Sequence, residues 1–158
     1  MVRAELICGK IACGKTTVAE KLRDEGRRVI LSVDEITLSL FDENLGDQHE
    51  IICARAQGYL FEMSLKLIEK GVSPILDWGF WTKKSRDEAE AFFASRNIPV
   101  RWHYVCPAER ERLKRIDKRN ALSKEGKTQA YFVTDAIFQK CEELFETPED
   151  GRMDVIHD

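Results

Sequence analysis

A chain of 158 residues with 43% hydrophobic and 34% charged residues has apolar mass for one domain-sized core and charge for a soluble surface. Its 25 basic and 28 acidic residues leave a net charge of −3, which gives no general attraction to nucleic acid or to an anionic membrane, though a local basic patch stays compatible with it. No apolar run has bilayer-spanning length, the N-terminus lacks a signal-peptide core, and the odd cysteine set (Cys8, Cys13, Cys53, Cys106, Cys141) has no Cys-x-x-Cys spacing, so a cytoplasmic protein without a disulfide framework or zinc site is expected.

Strand and helix patterns alternate along the chain. "AELIC" reads as a short apolar strand and "KTTVAEKLRDEG" as a helix stopped by Gly26. "RRVILSVD" reads as a second strand, rich in β-branched and aliphatic residues. The polar link "DENLGDQ" then leads into a long helix whose apolar positions include Ile51, Ile52, Tyr59, Leu60, Met63, Leu67 and Ile68, closed by Gly71. "SPILDW" is a third strand, "KKSRDEAEAFFASRN" a third helix and "PVRWHYVC" a fourth strand. "AERERLKRIDKRN" is a charged helix with Leu113 and Ile116 as candidate anchors, and "ALSKEGKTQAYF" a polar loop. Thr134 is placed to cap a helix carrying Ile137, Phe138, Cys141, Leu144 and Phe145 on one face, and "MDVIHD" is a last short strand. Such alternation implies parallel βαβ units, helices on both faces of a sheet, and ligands bound beyond the carboxyl ends of the strands.

The residues at those ends carry the chemistry. After the first strand, "CGKIACGKTT" contains Gly-x-x-x-x-Gly-Lys-Thr between strand and helix. Gly9 and Gly14 permit close approach, so backbone N–H groups of Lys10, Ala12, Cys13 and Thr17 can cradle phosphate oxygens at the helix N-terminus. In that pattern Lys15 reaches the β- and γ-phosphates and the Thr16 hydroxyl ligates Mg²⁺. After the second strand, Asp34 suits a general base or a holder of metal-bound water; a helix N-cap is the bland use of the same residue, and Glu35 competes weakly for the same role. After the third, Asp77 closes an apolar strand in the Walker B manner, or merely marks a turn. Trp78, Phe80 and Trp81 follow, as an apolar wall for an organic substrate or as core packing. Arg86, one turn into the next helix, could contact substrate or the Asp77 region, or make a surface salt bridge. Arg112, Arg115 and Arg119 share a helix face ahead of the polar loop, as arginines of a lid would; a solvated face is the commoner meaning of such charge. His49, His103 and His157 have no metal-ligand spacing and read as surface or core residues.

In this order the motifs resemble the small P-loop kinases grouped as AAA-domain ATP-binding proteins, relatives of chloramphenicol phosphotransferase, zeta-toxin and polynucleotide 5′-kinase. "GKIACGKTT", "SVDE", "ILDWGFWTKKSRDEAE", "RLKRIDKRN" and "FETPEDG" carry the likeness, which covers nearly the whole chain. It implies a three-layer α/β P-loop fold with a five-stranded parallel sheet in order 2-3-1-4-5 and a small helical lid, about residues 112–132, in one domain. It also implies Asp34 as general base, Arg115 and Arg119 as lid arginines on the nucleotide, and Arg86 as a substrate contact. One departure is that Ala12-Cys13 stand before Gly14-Lys15 where the family often has Gly-Ser or Gly-Ala, which makes oxidation at Cys13 an expectation. The function expected is an ATP- and Mg²⁺-dependent kinase acting on a small-molecule hydroxyl, with catalysis by Lys15, Asp34 and Arg115, metal at Thr16, Asp34 and Asp77, and substrate at Asp34, Asp77, Trp78, Phe80 and Arg86. A polynucleotide 5′-hydroxyl kinase and a nucleotide-binding regulatory module without transfer are the alternatives.

Overall fold

The computed structural model describes residues 1–41, 45–128 and 130–158. Three residues of the "DENLGDQ" link (Asp42, Glu43, Asn44) and Gln129 of the polar loop lie outside the described residues.

Five parallel strands, β1 (Ala4–Cys8), β2 (Arg28–Leu31), β3 (Ser73–Gly79), β4 (Val100–Val105) and β5 (Val155–His157), form one sheet in the order 2-3-1-4-5. β1 sits at its centre and every residue in it is buried. The two-residue period of a strand divides β1 between the two faces. Ala4, Leu6 and Cys8 pack with Leu76, Phe80, Ala89, Phe93 and Trp102, whereas Ile7 packs with Cys13, Val18, Ala19, Leu22, Ile75 and Val105. The second group includes the inner positions of α1 (Lys15–Asp24); the first includes those of α4 (Lys83–Ala94). α3 (His49–Glu69) packs beside them through Ala56, Leu60 and Ser64, spaced by four as a helix requires. Its Ile51 and Tyr59 point outward, 50% and 57% exposed, because they fall off that stripe.

Helix α2 (Val33–Leu40) begins where the second strand was expected to continue. Ser32 is its N-cap, accepting the Glu35 N–H at 3.2 Å, and "SVDE" is the Ser-x-x-Glu pattern of a capping box. Asp34 therefore stands in the first turn of α2 and not on the strand or in the cap. α5 (Glu109–Lys124) also runs farther than expected, through "ALSK" of the polar loop. Ile116 anchors it, but Leu113 is 44% exposed and anchors nothing. α6 (Asp135–Leu144) is capped by Thr134 as expected, and Cys141 is its buried residue. Ile116, Val133 and Ala12, joined by Ile11 and Phe138, seat α5 and α6 against the loop after β1.

Among the described residues, no helix is long and apolar enough to cross a membrane. The five cysteines are all free.

Candidate active site

The loop from Gly9 to Gly14 leaves the buried end of β1 and enters α1. Gly9 is needed for space: a Cβ there would lie 2.6 Å from Cys13 Sγ and 2.7 Å from the Val105 carbonyl oxygen. Gly14 is needed for conformation, with φ of +104°, and a Cβ there would lie 2.8 Å from Arg115 Nη1. Gly14 has no side chain to cap α1, so no side-chain cap bond meets the first N–H groups of that helix. An uncapped helix N-terminus behind a glycine cradle suits a phosphate anion. The residues present therefore fit the phosphates of a nucleotide.

Two cations bond to this loop, and a third, Arg119, stands near Asp34. Lys15 Nζ donates to the Lys10 carbonyl at 2.9 Å. Arg115 Nη1 donates to the Cys13 carbonyl at 2.5 Å from an otherwise exposed position on α5. Arg119 makes no hydrogen bond or ion pair among the described residues, and its charge acts on Asp34. Arg112 is different, being 4% exposed; its Nε donates to the Ile11 carbonyl at 3.1 Å and its Nη2 to Glu142 at 2.6 Å. Glu142 also receives Lys10 Nζ at 2.5 Å. Arg112 and Glu142 thus fasten the loop to α5 and α6. Glu142 was not singled out from sequence, since one acid in "QKCEELFE" looks like any other.

Opposite Lys15 stand the two carboxylates. Strand alternation puts Asp77 on the same face as Ile75, toward α1, and Thr16 Oγ1 donates to Asp77 Oδ2 at 3.3 Å. The β1–β3 register then slips, Ile7 pairing Asp77 and Cys8 pairing Gly79, so Trp78 is an extra residue between them. Burial pushes the Asp77 carboxyl above the usual range and the Asp34 charge adds to that, while Lys15 and the Thr16 bond pull it back. Part of Asp34 is exposed, but the protein atoms around its carboxyl keep water from it and raise it too, against the pull of Lys15, Arg119 and His49. A hydroxyl and two carboxylates are hard oxygen donors of the kind Mg²⁺ takes alongside phosphate. Among the described residues there is no group of three His, Cys, Asp or Glu able to hold a metal unaided.

Other expectations need correction. Phe80 is 2% exposed, with its ring 5.0 Å from Trp78 and 5.1 Å from Trp102, so it belongs to the core and not to a substrate wall. Trp78 is half-buried and packs edge-on against Phe61 at 5.3 Å. Arg86 is 1% exposed, which rules out a surface salt bridge; its Nη1 donates to the Phe80 and Trp81 carbonyls at 2.9 and 3.3 Å. That guanidinium holds the turn after β3, where Gly79 and Phe80 both have positive φ. Cys13 is 1% exposed within the core, which shields its sulfur from a solvent oxidant. His103 is buried between Glu5 at 2.9 Å and His157 at 3.1 Å, remote from this chemistry.

A glycine cradle at the carboxyl edge of a 2-3-1-4-5 parallel sheet, with Lys and Thr opening the helix and an aspartate opposite, defines a P-loop nucleotide-binding domain. The family model described as "AAA domain" matches residues 6–148, and the chain belongs to that family. No curated protein matches the chain. Among solved structures it is similar to a sugar kinase from Janibacter sp. (17% identity, 100% of this chain and 86% of that one, TM-score 0.64). It is similar also to a gluconokinase from Sinorhizobium meliloti (13% identity, 98% and 81%, TM-score 0.63). Kti12 of Chaetomium thermophilum in complex with ADP-AlF3 is a third (14% identity, 98% and 88%, TM-score 0.67). At these identities the likeness is one of fold.

Proposed function

We propose that the protein is an ATP- and Mg²⁺-dependent kinase that phosphorylates a hydroxyl group of a small organic molecule. The observation that carries this reading is the glycine cradle with Lys15 at its helix entrance and Thr16 bonded to Asp77 at 3.3 Å, with Asp34 near enough to feel the charges of Lys15 and Arg119. Bare nucleotide binding needs the loop and its lysine, but transfer to a hydroxyl also needs a base and cations over the reacting phosphate. The sugar kinase and gluconokinase folds are compatible with it.

In this reading the cradle binds the phosphates, and Lys15 neutralises the β- and γ-groups. Thr16 and Asp77 would hold Mg²⁺, which when bound would supply charge neutralisation for the phosphates. Asp34 would orient the acceptor hydroxyl and take its proton as the oxygen bonds to the γ-phosphorus and the bond to the ADP oxygen breaks. Arg115 and Arg119 would spread over the equatorial oxygens, as planar guanidinium forks do. For Arg115 that means leaving the Cys13 carbonyl. Residues 112–132 act as the lid of a single kinase domain, with Arg112 as its hinge-side anchor.

The test is ADP formation from Mg²⁺–ATP across pooled nucleosides, sugars, aminoglycosides, phenicols and 5′-hydroxyl oligonucleotides, with Lys15→Ala as control. A pool that stimulates the intact protein alone supports the kinase. ATP binding without stimulation by any pool would favour a regulatory module instead.

A further inference from the structure

The backbone N–H groups of the phosphate loop divide into two sets. Gly9 N–H is spent on the Gly79 carbonyl at 3.0 Å and Ile11 N–H on Cys141 Sγ at 3.5 Å. Beyond Ile11, Cys13 N–H reaches the Lys10 carbonyl only at 3.4 Å, and those of Ala12, Gly14, Lys15, Thr16 and Thr17 make no hydrogen bond among the described residues. The division turns on Ile11. Its N–H is held by α6 and its carbonyl accepts from Arg112 Nε of α5 at 3.1 Å, so both of its polar groups are taken from outside the loop. Ala12 follows in the left-handed region, φ +56°, which a residue with a Cβ keeps only where its surroundings impose it. It is buried against Ile116 of α5 and Val133, beside Phe138 of α6. A left-handed residue in a turn aims neighbouring N–H groups into one concavity. Glu142, next to Cys141 on α6, fixes both cations of the clamp: Arg112 Nη2 donates to its Oε1 at 2.6 Å and Lys10 Nζ to its Oε2 at 2.5 Å.

We propose that Cys141 and Glu142 of α6 are positioning residues for nucleotide: with Arg112 they hold the Ile11–Ala12 backbone in its phosphate-binding shape before nucleotide arrives. The inference rests on the phosphate cradle and goes beyond the transfer step, which it does not use. A loop that must find its shape at each encounter is competent only part of the time, and its apparent affinity falls by that fraction. Outward bonds on both polar groups of Ile11 stop its peptide from turning into the cradle. Glu142, holding Arg112 and Lys10 at once, keeps the clamp closed and draws the Lys10 ammonium toward α6 and the Phe145 ring. α6 thereby sets nucleotide affinity by acting on the loop and not on the phosphates.

The test is stopped-flow binding of N-methylanthraniloyl-ADP, which separates association from dissociation, at a temperature where thermal melts show each variant folded. Loss of a pre-formed shape appears in the association rate, because fewer molecules are competent, whereas loss of a contact to the phosphates appears in dissociation. Glu142→Gln and Cys141→Ala should each slow association about fivefold and leave dissociation unchanged; fivefold is about 1 kcal/mol, the worth of one hydrogen bond. Lys10→Met in the Glu142→Gln background should be as slow as Glu142→Gln alone, and a return to the wild-type rate would trace the effect to the freed ammonium and overturn the proposal. Unchanged association in both single variants, whatever their melting midpoints, would mean that α6 only braces the fold and overturns it, as would a change confined to dissociation. A wild type that binds no ADP overturns the cradle and this proposal together. Absence of acceptor-stimulated ADP formation counts against the kinase reading alone.

Discussion

Glu142 receives Lys10 from the phosphate loop and Arg112 from α5, and Glu142→Gln removes its charge while keeping its shape. Arg112 would then lose a carboxylate partner where water reaches poorly, its side chain being 5% exposed. Breaking a fully buried pair costs about 3–5 kcal/mol, and an exposed pair about 0–1. Glu142 is 25% exposed and the Ile11 carbonyl still accepts from Arg112, so a loss of about 1–3 kcal/mol is expected. For a chain of this size that lowers Tm by about 2–12 °C. The effect carries a pH signature. Burial alone pushes the Glu142 carboxyl up, but the bonds from Lys10 and Arg112 outweigh it and hold the group below its ordinary value. A depressed carboxyl contributes stability above its unfolded pKa, and that contribution is lost as pH falls through the folded one. Urea unfolding of wild type and variant should therefore differ near neutrality and converge in acid, as pH falls below the ordinary glutamate value of about 4.3 and through the lower folded one. An equal gap at both pH values, or none at neutrality, would refute the account.

Asp77 shows the opposite sign. Its folded carboxyl lies above the unfolded value, so ionisation costs stability as pH rises between the two, and Asp77→Asn should raise the neutral-pH Tm of the nucleotide-free protein while weakening Mg²⁺-dependent ATP binding; a lowered Tm would sink this. Asp34→Asn should reduce phosphoryl transfer by about 10²–10⁴-fold with ATP affinity nearly unchanged, and full activity would remove Asp34 as the base. Because the Asp34 carboxyl is raised, the acidic limb of the wild-type rate profile should lie above the ordinary aspartate value, activity falling as pH drops through it. Gly9→Ala forces a methyl against Cys13 Sγ and the Val105 backbone, an overpacking of about 1–3 kcal/mol; Cys13→Ala should rescue it only in part, since the carbonyl cannot yield, and complete rescue measured by thermal melts would show that the backbone contact is soft.

The sheet was legible because its strands announce themselves by short apolar runs and its helices by punctuation. β1 coincides with "AELIC", and the Thr134 cap falls where the motif puts it. The phosphate loop was legible for a different reason: its glycines answer to backbone geometry, which no other residue satisfies, so type and spacing alone identify it. α2 was missed although its signal was present. "RRVILSVD" continues the apolar run of β2 past Leu31, and the Ser-x-x-Glu cap of Ser32 and Glu35 lies inside it, masked by the strand pattern. The 2.7 Å hydrogen bond between the hydroxyls of Thr37 in α2 and Tyr131 left no signal at all, because the pairing of residues 94 apart is a property of the fold.

The arginines mark the limit most clearly. A face with Arg112, Arg115 and Arg119 at helical spacing says that three guanidiniums stand together, but not which of them the core claims. The structure divides them by height above the loop. Arg112 is nearest the start of α5, is buried and has its bonds filled by Ile11 and Glu142, so it is a fixed strut. Arg115, one turn on, rests on the Cys13 carbonyl in the open, and Arg119, a further turn on, is unpaired among the described residues. Arg86 makes the same point on the other side of the sheet, where a guanidinium taken for a surface or substrate group instead satisfies two carbonyls of a turn with positive φ. A cation is free to work on a phosphate only if no backbone carbonyl or carboxylate in the fold already requires it, and that requirement arises in loops whose shape composition does not reveal. Arg119→Ala should therefore slow transfer while leaving Tm unchanged, whereas Arg112→Ala should lower Tm by at least as much as Glu142→Gln; equal effects of the two on Tm would mean that the division between strut and working cation is wrong.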